Sequence, residues 1–121
     1  HFAGVDMKLP IAFALRGEVE EEILAPTDLL SIGTLEFLPI GAARYPIWNI
    51  KEHILKNPHL GVVVNAANEV AIEAFQEEKC SFFGMSEIIL DAYEKFNDVK
   101  ATSIDDIIKI DKEVREYVTT L

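Results

Sequence analysis

From Pro46 to the C-terminus, apolar residues recur at helical spacing in four successive segments, and that period constrains residues 45–121 more than any other feature of the chain. Pro46 suits the first turn of a helix with Ile47, Ile50 and Ile54 on one face and Trp48 and Leu55 flanking it. A second helix carries Ala67, Val70, Ala71, Ala74 and Phe75 as its apolar face, with a polar stripe of Asn65, Glu69, Glu73 and Gln76. A third sets Met85, Ile88, Ile89, Ala92, Tyr93 and Phe96 on one side, with Ser86 as its candidate cap. Ser103 then caps a fourth, in which Asp106 at the third position makes a conservative capping box and Ile107, Ile110, Val114, Tyr117, Val118 and Leu121 form the stripe. Four amphipathic helices joined by short loops predict a mainly α chain built on a small helical bundle.

One segment admits two readings. The β-branched run Val62-Val63-Val64 after Gly61 suits a buried strand feeding a helix. No glycine-rich turn follows it, however, and no second buried parallel strand exists to pair with it. Asn57-Pro58 offers a helix start upstream, so helix or loop is favoured for 62–64.

Residues 1–44 differ in character. A short helical pattern covers 6–16, with Pro10 in its first turn and Gly17 as its stop. An acidic run follows at 18–22, then an extended stretch in which Leu35-Glu36-Phe37, bounded by Gly33 and Pro39, reads as one short strand. A lone strand cannot satisfy its own backbone groups, and an isolated helix this short is marginal in water. This zone must lean on the rest of the chain or on something beyond it. The first residue is His1 and not a methionine, so the chain reads as a piece of a larger protein, divided into 1–23, a linker 24–44 and a helical domain 45–121.

Half of the 121 residues are hydrophobic, which excludes general disorder and gives room for one core. No apolar run approaches the ~20 residues that span a bilayer, and no signal-peptide order is visible. A net charge of −10 repels phosphate backbones and anionic lipid, which argues against nucleic-acid and membrane partners. The single Cys80 cannot form an internal disulfide, suits a reducing compartment, and reads as a small, partly buried thiol.

The residues that carry chemistry elsewhere do not assemble into a motif here. His53 and His59 are six apart with no further ligand at helical spacing, and they read as partly exposed surface histidines. Glu20, Glu21 and Glu22 read as a solvated charge run, and Asp105, Asp106 and Asp111 as helix-start acids. No serine has a nucleophile-elbow context and no P-loop is present. More unusual is Asn65-Ala66-Ala67-Asn68-Glu69, where two amides three residues apart open a strongly apolar helix. Asn65 reads as an N-cap that accepts from the amide of residue 68, and Asn68 as the anchor of a nearby loop.

Three ordered motifs give this pattern a context. Val5-Asp6-Met7-Lys8-Leu9-Pro10-Ile11-Ala12, Arg44-Tyr45-Pro46 and Val64-Asn65-Ala66-Ala67-Asn68-Glu69 together resemble the C-terminal portion of the 1-deoxy-D-xylulose 5-phosphate reductoisomerase family, over nearly the whole chain. Pro26-Thr27-Asp28-Leu29-Leu30, followed by Leu35-Glu36-Phe37, fits the same order. The resemblance implies a parent enzyme that uses NADPH and a divalent cation (Mg²⁺, Mn²⁺ or Co²⁺) to make 2-C-methyl-D-erythritol 4-phosphate in non-mevalonate isoprenoid synthesis. It also implies a cytoplasmic bacterial homodimer in which residues 1–23 are the tail of a catalytic domain. The family's cofactor domain, metal-binding acids and phosphate-binding residues all precede the Asp-Met-Lys motif. The piece alone is therefore expected to hold no metal or NADPH and to be inactive.

The resemblance puts Met7 near the nicotinamide end of the cofactor pocket, where a thioether packs on a flat ring. It assigns Asn65 and Asn68 a bracing role, and no catalytic or metal-binding residue to this chain. Val5 stands where the family usually has proline, and Pro39-Ile40-Gly41-Ala42-Ala43 departs from the family's more polar linker. The rival reading is a free-standing acidic helical interaction module. It explains the bundle equally well, but gives no reason for the motifs at Asp6 and Asp28.

Overall fold

Six α-helices form among residues 5–121, the part that the computed structural model describes; residues 1–4, His1 among them, lie outside it. They are α1 (Lys8–Arg16), α2 (Leu29–Ile32), α3 (Lys51–Lys56), α4 (Gly61–Gln76), α5 (Phe82–Lys95) and α6 (Ile104–Val118). The chain divides into two compact units, His1–Leu38 and Pro39–Leu121.

The second unit holds the core. Val63, Ala66, Ala67 and Ala71 of α4 are fully buried, against Ile89 and Ala92 of α5 and Ile110, Val114 and Val118 of α6. Three alanines on one helix leave little side chain between backbones, so α5 and α6 can both pack closely on α4. Met85, Ile88, Phe96 and Tyr117 close the edges of this core as the apolar stripes predict. The β-branched run 62–64 is helical. A 3-10 turn at Pro58–Leu60, its Leu60 buried, leads straight into α4, and Val63 gains complete burial there. A valine costs a helix only about 0.5 kcal/mol of propensity, against about 1.5–3 kcal/mol gained by burying the side chain. Burial decides the conformation.

Several expectations need correcting. The helix that starts at Pro46 is two pieces, a 3-10 segment Pro46–Ile50 and then α3. Ser81 caps α5 by accepting from the Gly84 amide at 3.0 Å, whereas Ser86 is buried inside that helix. Asn65 is an interior residue of α4, because the helix has already begun at Gly61, so it caps nothing. Phe75, Ile107 and Leu121 lie at the ends or margins of their stripes and remain 43%, 44% and 61% exposed.

The box that starts α6 is present as read. Ser103 Oγ accepts from the Asp106 amide at 3.1 Å, and Asp106 Oδ2 accepts from the Ser103 amide at 3.0 Å and the Thr102 amide and hydroxyl at 2.9 Å each. Three donors for one carboxylate, the Thr102 amide foremost, hold Asp106 down to about 2 from an ordinary 3.8. The end of α4 is closed by two bonds, Lys79 N–H to Ala74 O at 2.8 Å and Glu78 N–H to Phe75 O at 3.0 Å. This is a Schellman closure, and it places Glu78 at φ +59°, a position that favours glycine.

The first unit is built differently. Asp6 Oδ1 accepts from the Lys8 amide at 2.7 Å at the start of α1, Pro10 sits in its first turn, and Gly17 at φ +76° ends it. Asp28 Oδ1 accepts from the Leu30 amide at 3.0 Å to start α2, a single turn within a stretch expected to be extended. The predicted strand at Leu35–Phe37 does not form, and no strand occurs among the described residues. Its backbone has no neighbouring strand to bond, which is the condition any strand requires. No described residue of this unit is buried, and Leu30 (94% exposed) and Phe37 (82%) face solvent with Phe13, Leu15 and Leu38.

Two stability outcomes follow from these helix ends. Glu78→Gly is expected to raise stability by roughly 0.5–1 kcal/mol, because relief of ~1–2 kcal/mol of left-handed strain outweighs the added freedom of the unfolded chain. A lowered melting temperature for that variant would contradict the closure described. The Asp106 contribution is fully present above its unfolded value near 3.8 and is lost as pH falls through about 2. Carboxyl-carbon NMR should place Asp106 well below the other aspartates, and the slope of stability against pH in that window should flatten in Asp106→Asn; an ordinary titration near 4 would refute it.

Candidate functional site

Three groups of residues compete for a functional role: the Asp6-Met7-Lys8 motif, the outward side of α4, and the polar side chains scattered over the second unit. In the motif, Asp6 bonds the Lys8 amide and also pairs with Lys8 Nζ at 3.3 Å. The Lys8 backbone bond is the main reason the Asp6 carboxyl is lowered below the usual carboxylate range. Met7 occupies the N-cap position of α1, and its carbonyl accepts from the Ile11 amide at 3.0 Å. Its side chain is 68% exposed. A bare thioether at a helix start held from both sides is suited to packing against a flat apolar surface brought from elsewhere.

On α4, Asn65 and Asn68 fall on the side away from the core, as their three-residue spacing requires. Asn65 Nδ2 donates weakly to Glu69 Oε1 at 3.3 Å within the same helix. The Asn68 side chain is half-buried and has no hydrogen bond among the described residues. Neither amide holds a loop of this unit.

The remaining polar groups serve as ties between helices. Arg115 of α6 reaches Glu69 of α4 at 2.5 Å and Asp111 of its own helix at 2.8 Å, and these two carboxylates, Asp111 first, hold its guanidinium above its ordinary range. Tyr117 donates to Asp91 Oδ2 at 2.6 Å, which joins α6 to α5 and pushes the phenol up. His53 Nδ1 is hydrogen-bonded to the Tyr93 hydroxyl, joining α3 to α5, and burial pushes the Tyr93 phenol up. His53 is exposed as expected, but its ring is engaged. Cys80 is partly buried with Sγ 3.8 Å from the Ala71 carbonyl.

Among the described residues, no three histidines, cysteines or acids come together as a metal would require. Asp111, read from the sequence as a helix-start acid, lies in the middle of α6 and pairs with Arg115 at i, i+4 spacing. The link from Arg115 to Glu69, 46 residues away, and the Tyr117–Asp91 and His53–Tyr93 links carry no local sequence signal.

A family model described as the DXP reductoisomerase C-terminal domain matches residues 2–117. A 1-deoxy-D-xylulose 5-phosphate reductoisomerase of Nautilia profundicola is 53% identical over 117 residues, which cover 97% of this chain and 32% of the relative. The enzyme of the same name from Campylobacter hominis is 48% identical with the same coverage. That of Wolinella succinogenes is 40% identical over all of this chain and 34% of its own length. The chain thus spans about a third of the length of the curated relatives it matches. No solved structure matches it.

Proposed function

The chain belongs to the family of DXP reductoisomerase C-terminal domains, and on that premise we propose that it is the packing scaffold of an NADPH- and divalent-metal-dependent reductoisomerase whose reaction centre lies outside these 121 residues. The observation that carries this reading is the 53% identity over 97% of the chain to an enzyme of that name. The parent reaction is the conversion of 1-deoxy-D-xylulose 5-phosphate to 2-C-methyl-D-erythritol 4-phosphate, carried out by a cytoplasmic homodimer. The cation would polarise the substrate oxygens and NADPH would supply the hydride, both held by domains of the parent that this chain does not include.

Within that enzyme the chain's own residues have two tasks. Met7 packs its thioether against the nicotinamide end of the cofactor, which its exposed place at the start of α1 allows. Asp6 is its positioning residue, since it holds the Lys8 amide and so fixes where Met7 leaves the helix. Asn65 and Asn68, which bond no main-chain group of this unit, brace the helical domain in one docking geometry by bonding main-chain groups of the parent, each such bond contributing about 1 kcal/mol net. The domains are assigned as 1–23 catalytic-domain tail, 24–44 linker and 45–121 helical domain. A free-standing interaction module would not need the Asp-Met-Lys motif, which lies inside the matched residues.

The complete protein, assayed with NADPH and Mg²⁺, is expected to turn over 1-deoxy-D-xylulose 5-phosphate, and the 121-residue chain alone to give none. In the complete protein, Met7→Ala should raise KM for NADPH without lowering the melting temperature. Asn68→Ala should lower the melting temperature with kcat retained. Collapse of turnover at unchanged melting in Asn68→Ala would refute the brace and put that amide in the reaction centre.

A further inference from the structure

The side of α4 turned away from its core has the composition of an interface. Asn65, Asn68, Ile72 and Phe75 follow one another at spacings of three and four, on the opposite side from Val63, Ala67, Val70 and Ala74. An outward helix face in a chain with 26% charged residues would ordinarily carry Glu, Lys or Arg, and the neighbouring Glu69 and Glu73 follow that rule. The stripe carries no charge at all. The nearest one, on Glu69, is already matched by Arg115 at 2.5 Å. Asparagine is also a poor choice for the inside of a helix, costing roughly 0.5–0.7 kcal/mol against alanine, and here it occurs twice. Each amide keeps most of its hydrogen-bonding capacity unused: Asn65 makes one long bond and Asn68 none among the described residues. Ile72 and Phe75 are 38% and 43% exposed, and just past the turn after α4 the edge-to-face pair Phe82 and Phe83, ring centroids 5.9 Å apart, stands half exposed at the same end.

We infer that this stripe, Asn65–Asn68–Ile72–Phe75, is the seat on which the part of the reductoisomerase polypeptide outside these 121 residues docks, the two amides bonding its main chain and the two apolar side chains filling its surface. The inference rests on the function proposed above and names the partner of the amides. The occupant is fixed by two observations. The relatives carry about twice this chain's length in further sequence, and the family model places the present residues at the C-terminal end, so the additional chain is covalently attached and at high local concentration. The stripe is also uncharged, with amides and aromatic residues, as buried interface centres are, whereas a partner drawn by electrostatics would meet the acidic surface instead. Because α5 and α6 both pack on α4, holding this one helix fixes the whole helical unit against the occupant.

The test uses the complete protein with a photo-crosslinking amino acid at position 72, and at the exposed Lys112 position of α6 as control, followed by peptide mapping. Position 72 should convert almost entirely to crosslinks within the same polypeptide, to residues preceding this chain, while position 112 yields few. Crosslinks from position 72 to a second copy, to residues 5–38, or to solvent alone would each overturn the inference. Turnover of the same preparations separates the two failures: an active enzyme with an uncrosslinked position 72 refutes the seat only, and an inactive one with the expected crosslinks refutes the reaction but keeps the seat.

Discussion

The alanine side of α4 is the contact on which the helical unit depends. Ala66, Ala67 and Ala71 are wholly buried with Val63, and they meet Ala92 of α5 and Val114 of α6, also wholly buried. Small residues at a three-helix junction do not gain much area each, but they set the distance at which larger neighbours such as Ile89 and Ile110 can close over them. A larger side chain at Ala67 would have to push one of two helices away, since both faces beside it are occupied. The polar ties Arg115–Glu69, Tyr117–Asp91 and His53–Tyr93 then fix the packed helices in register at the surface. The exposed Arg115–Glu69 pair contributes at most about 1 kcal/mol and the other two hydrogen bonds about 1 kcal/mol each, so they select an arrangement that packing has already made stable.

The first unit shows what happens where that contact is lacking. It has capped helices, a glycine stop and apolar side chains in quantity, yet none of its described residues is buried. Local signals are enough to start α1 and α2 and not enough to give them a core. The unit's apolar side chains therefore stand exposed, and the curated relatives are about three times as long as this chain. The two units differ in kind: one buries a core of its own, and the other buries none of its described residues.

The helical half was legible because burial and periodicity agree there. The apolar stripes of α5 and α6 supplied the core residues Ile89, Ala92, Ile110, Val114 and Val118, and the Ser103–Asp106 box fixed the start of α6. The sequence misled where a local signal competed with a tertiary one. Leu35 to Phe37 alternate like a strand with no neighbour to bond, whereas at Val62 to Val64, where the sequence favours helix or loop over a strand, a helix forms and buries Val63. Asn65 has the chemistry of a cap but lies a full turn inside a helix that Pro58 and Leu60 had already launched. Of the candidate residues, the motif around Met7 was visible as a motif, while the free capacity of Asn68 emerged only once the helix was placed. The long-range ties were invisible because their partners lie 26 to 46 residues apart.

Residues 39–121 carry their own core and residues 5–38 do not. Native-state hydrogen exchange of the 121-residue chain tests it most directly, since protection reports burial and cooperative packing helix by helix. Amides of α4, α5 and α6 should share one high level of protection while those of α1 and α2 exchange at nearly unfolded rates. Equal protection of α1 and of the bundle would contradict it.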